Sequence, residues 1–187
     1  MKLLLVGTGG HARPVAEAAA DNGHEVIACA TRDRPDWLDV PMFGDDDQLP
    51  ASLMGFVMGL GGVDPEGLRR RLELFRRYTA HALVPVPLIH SRAFTAADAV
   101  VAEGGIVLAG AVVNAGARIS EAAIVNTGAI IEHDAEVEAG AHVAPGAILL
   151  GAARVGSCAM VGAGAVVLPG TTVPADTLVP SLTRYPQ

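Results

Sequence analysis

Aromatic residues are scarce in this chain, 4% of 187 residues with a single Trp. A core without aromatic bulk has to be filled by small and branched side chains, and the 51% apolar content is mostly Val, Ala, Leu and Ile. Cysteine is nearly absent. Cys29 and Cys158 stand far apart without metal-ligand spacing. They read as free buried thiols of a reducing, cytoplasmic setting, not as a disulfide. Positive charge is lacking too: the net charge of -7 argues against a broad nucleic-acid surface. No apolar run approaches the roughly 20 residues that a membrane span needs. Leu3 to Val6 is too short for the apolar core of a signal peptide and reads as a buried strand. The arginines at 69, 70, 71, 76 and 77 read as the solvated face of a helix.

What the second half holds instead is a six-residue period. From Val101 to Val179 every sixth residue is branched and apolar, through Val107, Val113, Ile119, Val125, Ile131, Val137, Val143 and onward. Alanine recurs four residues after these positions from Ala111 to Ala165, and Thr171 and Thr177 continue the series. Glycine falls three residues after them at 104, 110, 116, 128, 140, 146, 164 and 170, where a turn needs a permissive backbone. Neither an α-helix nor an ordinary strand repeats every six residues. A parallel β-helix does, because each flat side of each coil repeats the same inward position. Three hexads make a triangular coil, so residues 89 to about 178 hold about five coils, a prism about 24 Å tall at roughly 4.8 Å per rung. Periodicity alone leaves the hand of the coil open.

The first 80 residues alternate strand and helix: a strand to Val6, a helix from Arg13 to Asn22 closed by Gly23, a strand at Glu25–Ala30, a loop with a short strand over 32–50, a strand at Phe56–Leu60, and a helix capped by Asp64 and running to about Tyr78. That alternation implies a small Rossmann-like parallel sheet. Residues 81–88, with two prolines, form an extended junction. The expected domains are 1–84 and 89–187.

Gly7-Thr8-Gly9-Gly10-His11-Ala12 fits G-x-G-x-x-A between a strand and a helix, a turn that lets phosphate approach backbone N–H groups. A dinucleotide site also wants an acid at the end of the second strand, where this chain has Ala30-Thr31. The domain is also short for two mononucleotide halves, so a single nucleotide fits better; a tight turn without a ligand is the alternative.

Together the glycine turn, Leu88-Ile89-His90-Ser91, and Val125-Asn126-Thr127 running into Ile131-Glu132-His133-Asp134 resemble the hexapeptide-repeat sugar O-/N-acetyltransferases. The subfamily includes the sialic acid O-acetyltransferases and the bacillosamine and perosamine N-acetyltransferases. The resemblance implies a left-handed β-helix, a homotrimer, acetyl-CoA in a groove between neighbouring prisms, no metal, and an N-terminal domain that holds a nucleotide-linked amino sugar. It makes His133 the general base, with Asp134 as its partner. It also implies that Gly9, Gly10, His11 and Asn126 contact the substrate and that His142, Gly151, Gly162 and Ala163 contact the cofactor. Asn126, His133 and His142 fall off the buried register and are expected to be free to face a groove.

Two departures stand out. Relatives that bind UDP-sugars often carry an Asp pair where this chain has Ala30-Thr31, and they usually add a C-terminal segment covering CoA, so a less enclosed cofactor site is expected here. Amine and hydroxyl acceptors are not separable from these residues, so O-acetylation of a sugar such as sialic acid is an alternative, as is an inactive trimeric scaffold. A zinc carbonic-anhydrase-like site would need three converging histidines. The spacing of His90, His133 and His142 does not match that pattern.

Overall fold

In the computed structural model, which describes residues 1–44, 48–80 and 83–186, two units follow one another along the chain. The first is a parallel sheet of β1 (Lys2–Val6), β2 (Glu25–Ala30), β3 (Met42–Phe43), β4 (Gly55–Met58) and β5 (Val84–Pro85), in the order β3-β2-β1-β4-β5. Helix α1 (Ala12–Asp21) covers one sheet face, packing Ala12, Val15, Ala18 and Ala19 against Leu3, Leu5 and Val57. Helix α2 (Pro65–Ala80) covers the other, packing Leu68, Leu72, Phe75 and Tyr78 against Leu4, Val6, Phe56 and Met58. The elements match the sequence reading with ends shifted by one or two residues. Asp64 caps α2 as expected, its Oδ1 accepting from the Gly67 N–H at 2.7 Å. The junction reading falls partly on His81 and Ala82, which lie outside the described residues.

The second unit is a left-handed β-helix. It contains seventeen two-residue strands, β6 (Leu88–Ile89) to β22 (Arg184–Tyr185), in three parallel faces of six, six and five. The chain visits the faces in turn. A first face holds residues 88–89, 106–107, 124–125, 142–143, 160–161 and 178–179; a second begins at Phe94–Thr95; a third begins at Val100–Val101. Inward residues are the predicted ones: Val107, Val113, Ile131, Val143 and their equivalents stack on the alanine series with essentially no exposure. The stack runs one strand past the expected end, to Arg184–Tyr185.

Every glycine of the period sits at positive φ, and Ala122, Asp134, Ala152, Cys158, Asp176 and Leu182 occupy the same turn position at φ 53–59°. The corner therefore requires the left-handed conformation whatever residue stands there. Asp tolerates it better than most.

The N-terminal unit lies over the first face of the prism. Leu88, Ile106 and Leu108 join the α1 side of its core, while Ala122 and Cys158, from the corner between the third and first faces, join the α2 side. Asn22 Nδ2 donates to Ile89 O at 2.8 Å. Arg69 pairs with Asp176 and Arg76 with Glu121, both at 2.6 Å.

Candidate active site

His133 and Asp134 occupy the corner between the second and third faces. His133 Nδ1 lies 3.0 Å from Asp134 Oδ2, and both side chains are about two-thirds exposed. Asp134 reaches the imidazole from a left-handed corner residue, φ 59°. The hydrogen bond to Asp134, aided by the charges of Asp134 and Glu132, raises the His133 pKa above its ordinary value.

Glycines above and below make room for the pair. A Cβ on Gly151, one coil on, would sit 2.5 Å from His133 Nε2, and a Cβ on Gly116, one coil back, would sit 2.6 Å from Asp134 Oδ1. Gly116 was not singled out in the sequence as more than a repeat glycine. Its signal was its place one coil before Asp134.

His142 is not free to face a groove. It is 6% exposed, because the N-terminal unit covers the first face on which it stands. Its Nδ1 lies 2.8 Å from Gly62 O, which can only accept, so Nδ1 carries the proton. Asn126 Oδ1 accepts from Thr127 N at 2.8 Å, which orients Asn126 Nδ2 to donate to His142 Nε2 at 3.0 Å. Burial first, with the nearby Arg71 charge, pushes the His142 pKa down to about 4 despite the bond to Gly62. The ring is neutral at pH 7.

His11, at the start of α1, lies with its ring centroid 6.5 Å from that of His142. Burial, Arg71 and His142 push its pKa down to about 3, and its Nε2 has no partner among the described residues. Arg71 was expected on a solvated face, and the other arginines of that cluster are exposed, but Arg71 is buried at 1% exposure. It stands three residues after Leu68 and four before Phe75, on the apolar stripe of α2, and that spacing was its legible signal. Its Nε donates to Leu60 O at 2.7 Å and its Nη1 to Ala122 O across the two units. Burial lowers its pKa to about 10, so it stays charged at pH 7.

The remaining glycines fall elsewhere. Gly9 and Gly10 lie exposed in the turn after β1, and a Cβ at either would meet nothing within 4 Å, so the fold itself does not demand glycine there. Gly9 lines a cavity of about 830 Å³ at the carboxyl ends of β1, β2 and β3, with Gly7, Thr31, Arg32, Met42, Arg70 and Tyr78 among its walls. That is the end of an open parallel sheet where ligands bind. Gly162 and Ala163 sit at the corner between the first and second faces.

One chain therefore holds two separate groups. His133, Asp134 and Gly151 share one corner, while His11, Asn126 and His142 meet beneath the N-terminal unit on the opposite side of the prism. Among the described residues no three His, Cys, Asp or Glu side chains are grouped to hold a metal, and no helix is long and apolar enough to cross a membrane.

No protein-family model matches the chain, and no curated protein matches it in sequence. Solved structures do. PerB from Caulobacter crescentus, in complex with CoA and GDP-perosamine, is 36% identical over 98% of this chain and 88% of its own, with a TM-score of 0.90. A His-to-Asn variant of perosamine N-acetyltransferase from the same organism, with the same two ligands, is 33% identical over 99% of this chain and 91% of its own, with a TM-score of 0.87. The acetyltransferase domain of PglB from Neisseria gonorrhoeae, with acetyl coenzyme A, is 30% identical over 97% of this chain and 88% of its own, with a TM-score of 0.86.

Proposed function

The chain belongs to the hexapeptide-repeat sugar acetyltransferase family, and on that premise we propose that it moves the acetyl group of acetyl-CoA onto the amino group of a nucleotide-activated sugar. The observation that carries this is the His133–Asp134 pair, 3.0 Å apart on an open corner flanked by two glycines, in a chain 36% identical to an enzyme solved with CoA and GDP-perosamine.

In this reading the sugar nitrogen attacks the thioester carbonyl, a C–N bond forms, and the C–S bond breaks. Neutral His133 takes the proton that the nitrogen loses and passes it to the departing CoA sulfur. Asp134 holds the ring through Nδ1, leaves Nε2 facing the acceptor, and stabilises the imidazolium. The Gly151 N–H is the candidate donor to the developing oxyanion. Residues 1–84 hold the nucleotide at the glycine turn, and 89–187 carry the transfer. Asn126, Gly162 and Ala163 complete the acceptor and CoA walls, with His142 holding Asn126 from beneath. Two free, buried thiols support a cytoplasmic setting.

The active form is a homotrimer. Outward residues of the second face form an apolar stripe, Phe94, Val112, Ile130, Ile148 and Val166, with Phe94 56% exposed. The first face is covered by the chain's own N-terminal unit, and the third presents Arg118, Glu136 and Arg154. A second copy seated on the stripe would bring its covered side, with His11 and the sugar site, toward this chain's dyad corner.

The test is release of CoA from acetyl-CoA against UDP-, GDP- and dTDP-linked 4-amino sugars, with sialic acid as the hydroxyl control. Release with one of the amino sugars, and a product heavier by one acetyl group, is the expected result. Release with sialic acid alone would make the protein an O-acetyltransferase, and no release at all would favour a scaffold.

A further inference from the structure

The cavity at the sheet end differs from an ordinary nucleotide crevice in the charge of one wall. In doubly wound sheets the residue at the end of the second strand stands beside the ribose and base of a nucleotide whose phosphates rest on the glycine turn, and it is usually an acid. Here β2 ends at Ala30, Thr31 and Arg32 follow it, and all three line the cavity. The Thr31 hydroxyl is already engaged, accepting from Thr8 Oγ1 at 2.9 Å and donating to Asp33 O at 3.3 Å. Arg32 is exposed and makes no ion pair or hydrogen bond among the described residues. The neighbouring arginine of the cavity, Arg70, is tied to Glu66 at 2.8 Å on the α2 wall. Met42 on β3, 41% exposed, borders the same end and offers an apolar surface to a flat ring.

Resting on the reading of this cavity as the nucleotide site, we propose that Arg32 reads the nucleobase and selects guanine. A guanidinium offers two parallel N–H donors. Guanine presents two adjacent acceptors, O6 and N7, which match that fork. Adenine places an amino donor beside N7, and uracil presents single carbonyl acceptors separated by an N–H donor. The phosphates are left to the open backbone of Gly9 and Gly10 at the α1 N-terminus.

Calorimetric titration of the full chain with GDP, UDP, ADP and inorganic pyrophosphate tests this, in the unaltered protein and in Arg32→Ala and Arg32→Lys. GDP should bind tightest. Both variants should lose about ten- to a hundred-fold for GDP, the range of one bidentate base contact, with UDP and pyrophosphate little changed. Lysine keeps the charge but not the fork, so it should not rescue. A uniform loss across all four ligands that Lys restores would overturn the proposal and make Arg32 a phosphate contact. UDP binding tighter than GDP to the unaltered protein would overturn it as well. Binding of none of the four would overturn the nucleotide reading of the cavity itself. Melting temperatures of the variants should stay within a degree or two, because Arg32 is exposed and has no polar partner among the described residues.

Discussion

An imidazole acts as a base only while neutral, and His133 is held toward the protonated form by Asp134. The acid limb of kcat/KM should therefore lie above the ordinary histidine value near 6.5 and fall as pH drops through it. Asp134→Asn removes the charge that favours protonation. Its limb should move to lower pH while the plateau rate drops; an unmoved limb would separate the pair. His133→Ala should cost roughly 10²–10⁴ in turnover, the usual share of a general base, with an unchanged melting temperature because the ring is exposed. Gly151→Ala is the subtler probe. Its Cβ would meet the far end of the His133 ring, which can swing into solvent, so activity should fall without loss of stability in thermal unfolding.

The six-residue beat placed His133 at a corner and Gly151 one coil above it, but only the family resemblance singled the two out as site candidates. The burial of His142 was not legible, because the beat says which residues point outward and nothing about what lies over them. The cover is Gly62, eighty residues earlier.

At the scale of elements, α2 is more than a sheet cover. Its apolar stripe continues onto the prism corner at Ala122 and Cys158, and Arg71 joins the carbonyls of Leu60 and Ala122. Arg71→Ala would leave the buried Ala122 carbonyl without its donor, at about 1–3 kcal/mol, and would also remove the donor to the Leu60 carbonyl. Thermal unfolding should show a large drop, and Arg71→Lys, with fewer donors, should recover only part of it. The helix and its cap were readable from Asp64-Pro65 and the Leu68–Phe75 spacing. The same spacing placed Arg71 inside, but a run of arginines reads as a wet surface until a partner for each is sought.

For the whole molecule, acid should loosen the joint between the units. His11 and His142 are neutral when folded, with pKa values near 3 and 4, whereas an unfolded histidine binds a proton near 6.5. As pH falls below about 6.5 the unfolded chain takes up protons first. Stability complete above that pH is lost down to about 4 for His142 and about 3 for His11, at no more than about 1.4 kcal/mol per pH unit per ring. Denaturant unfolding between pH 7 and 4 should show this slope, reduced in His142→Gln.

The prism also separates the chemistry. The dyad corner lies opposite the face that the chain's own N-terminal unit covers, so the proposed trimer would present a sugar held by one copy to the His133 of its neighbour. The repeat predicted the prism, and the family resemblance proposed the site residues, but a single sequence carries no record of which side of one copy meets the next. Co-expression of two inactive chains is the direct test: His133→Ala, which keeps the nucleotide cavity, and Gly9→Asp, which keeps the dyad but sets a charge against the phosphates. If the site is shared between neighbours of the proposed trimer, the randomly assembled population should regain about a quarter of the unaltered acetyl-transfer rate, because over all trimers one site in four pairs an intact dyad with an intact cavity. Activity no higher than that of either variant alone would mean that each chain works within itself.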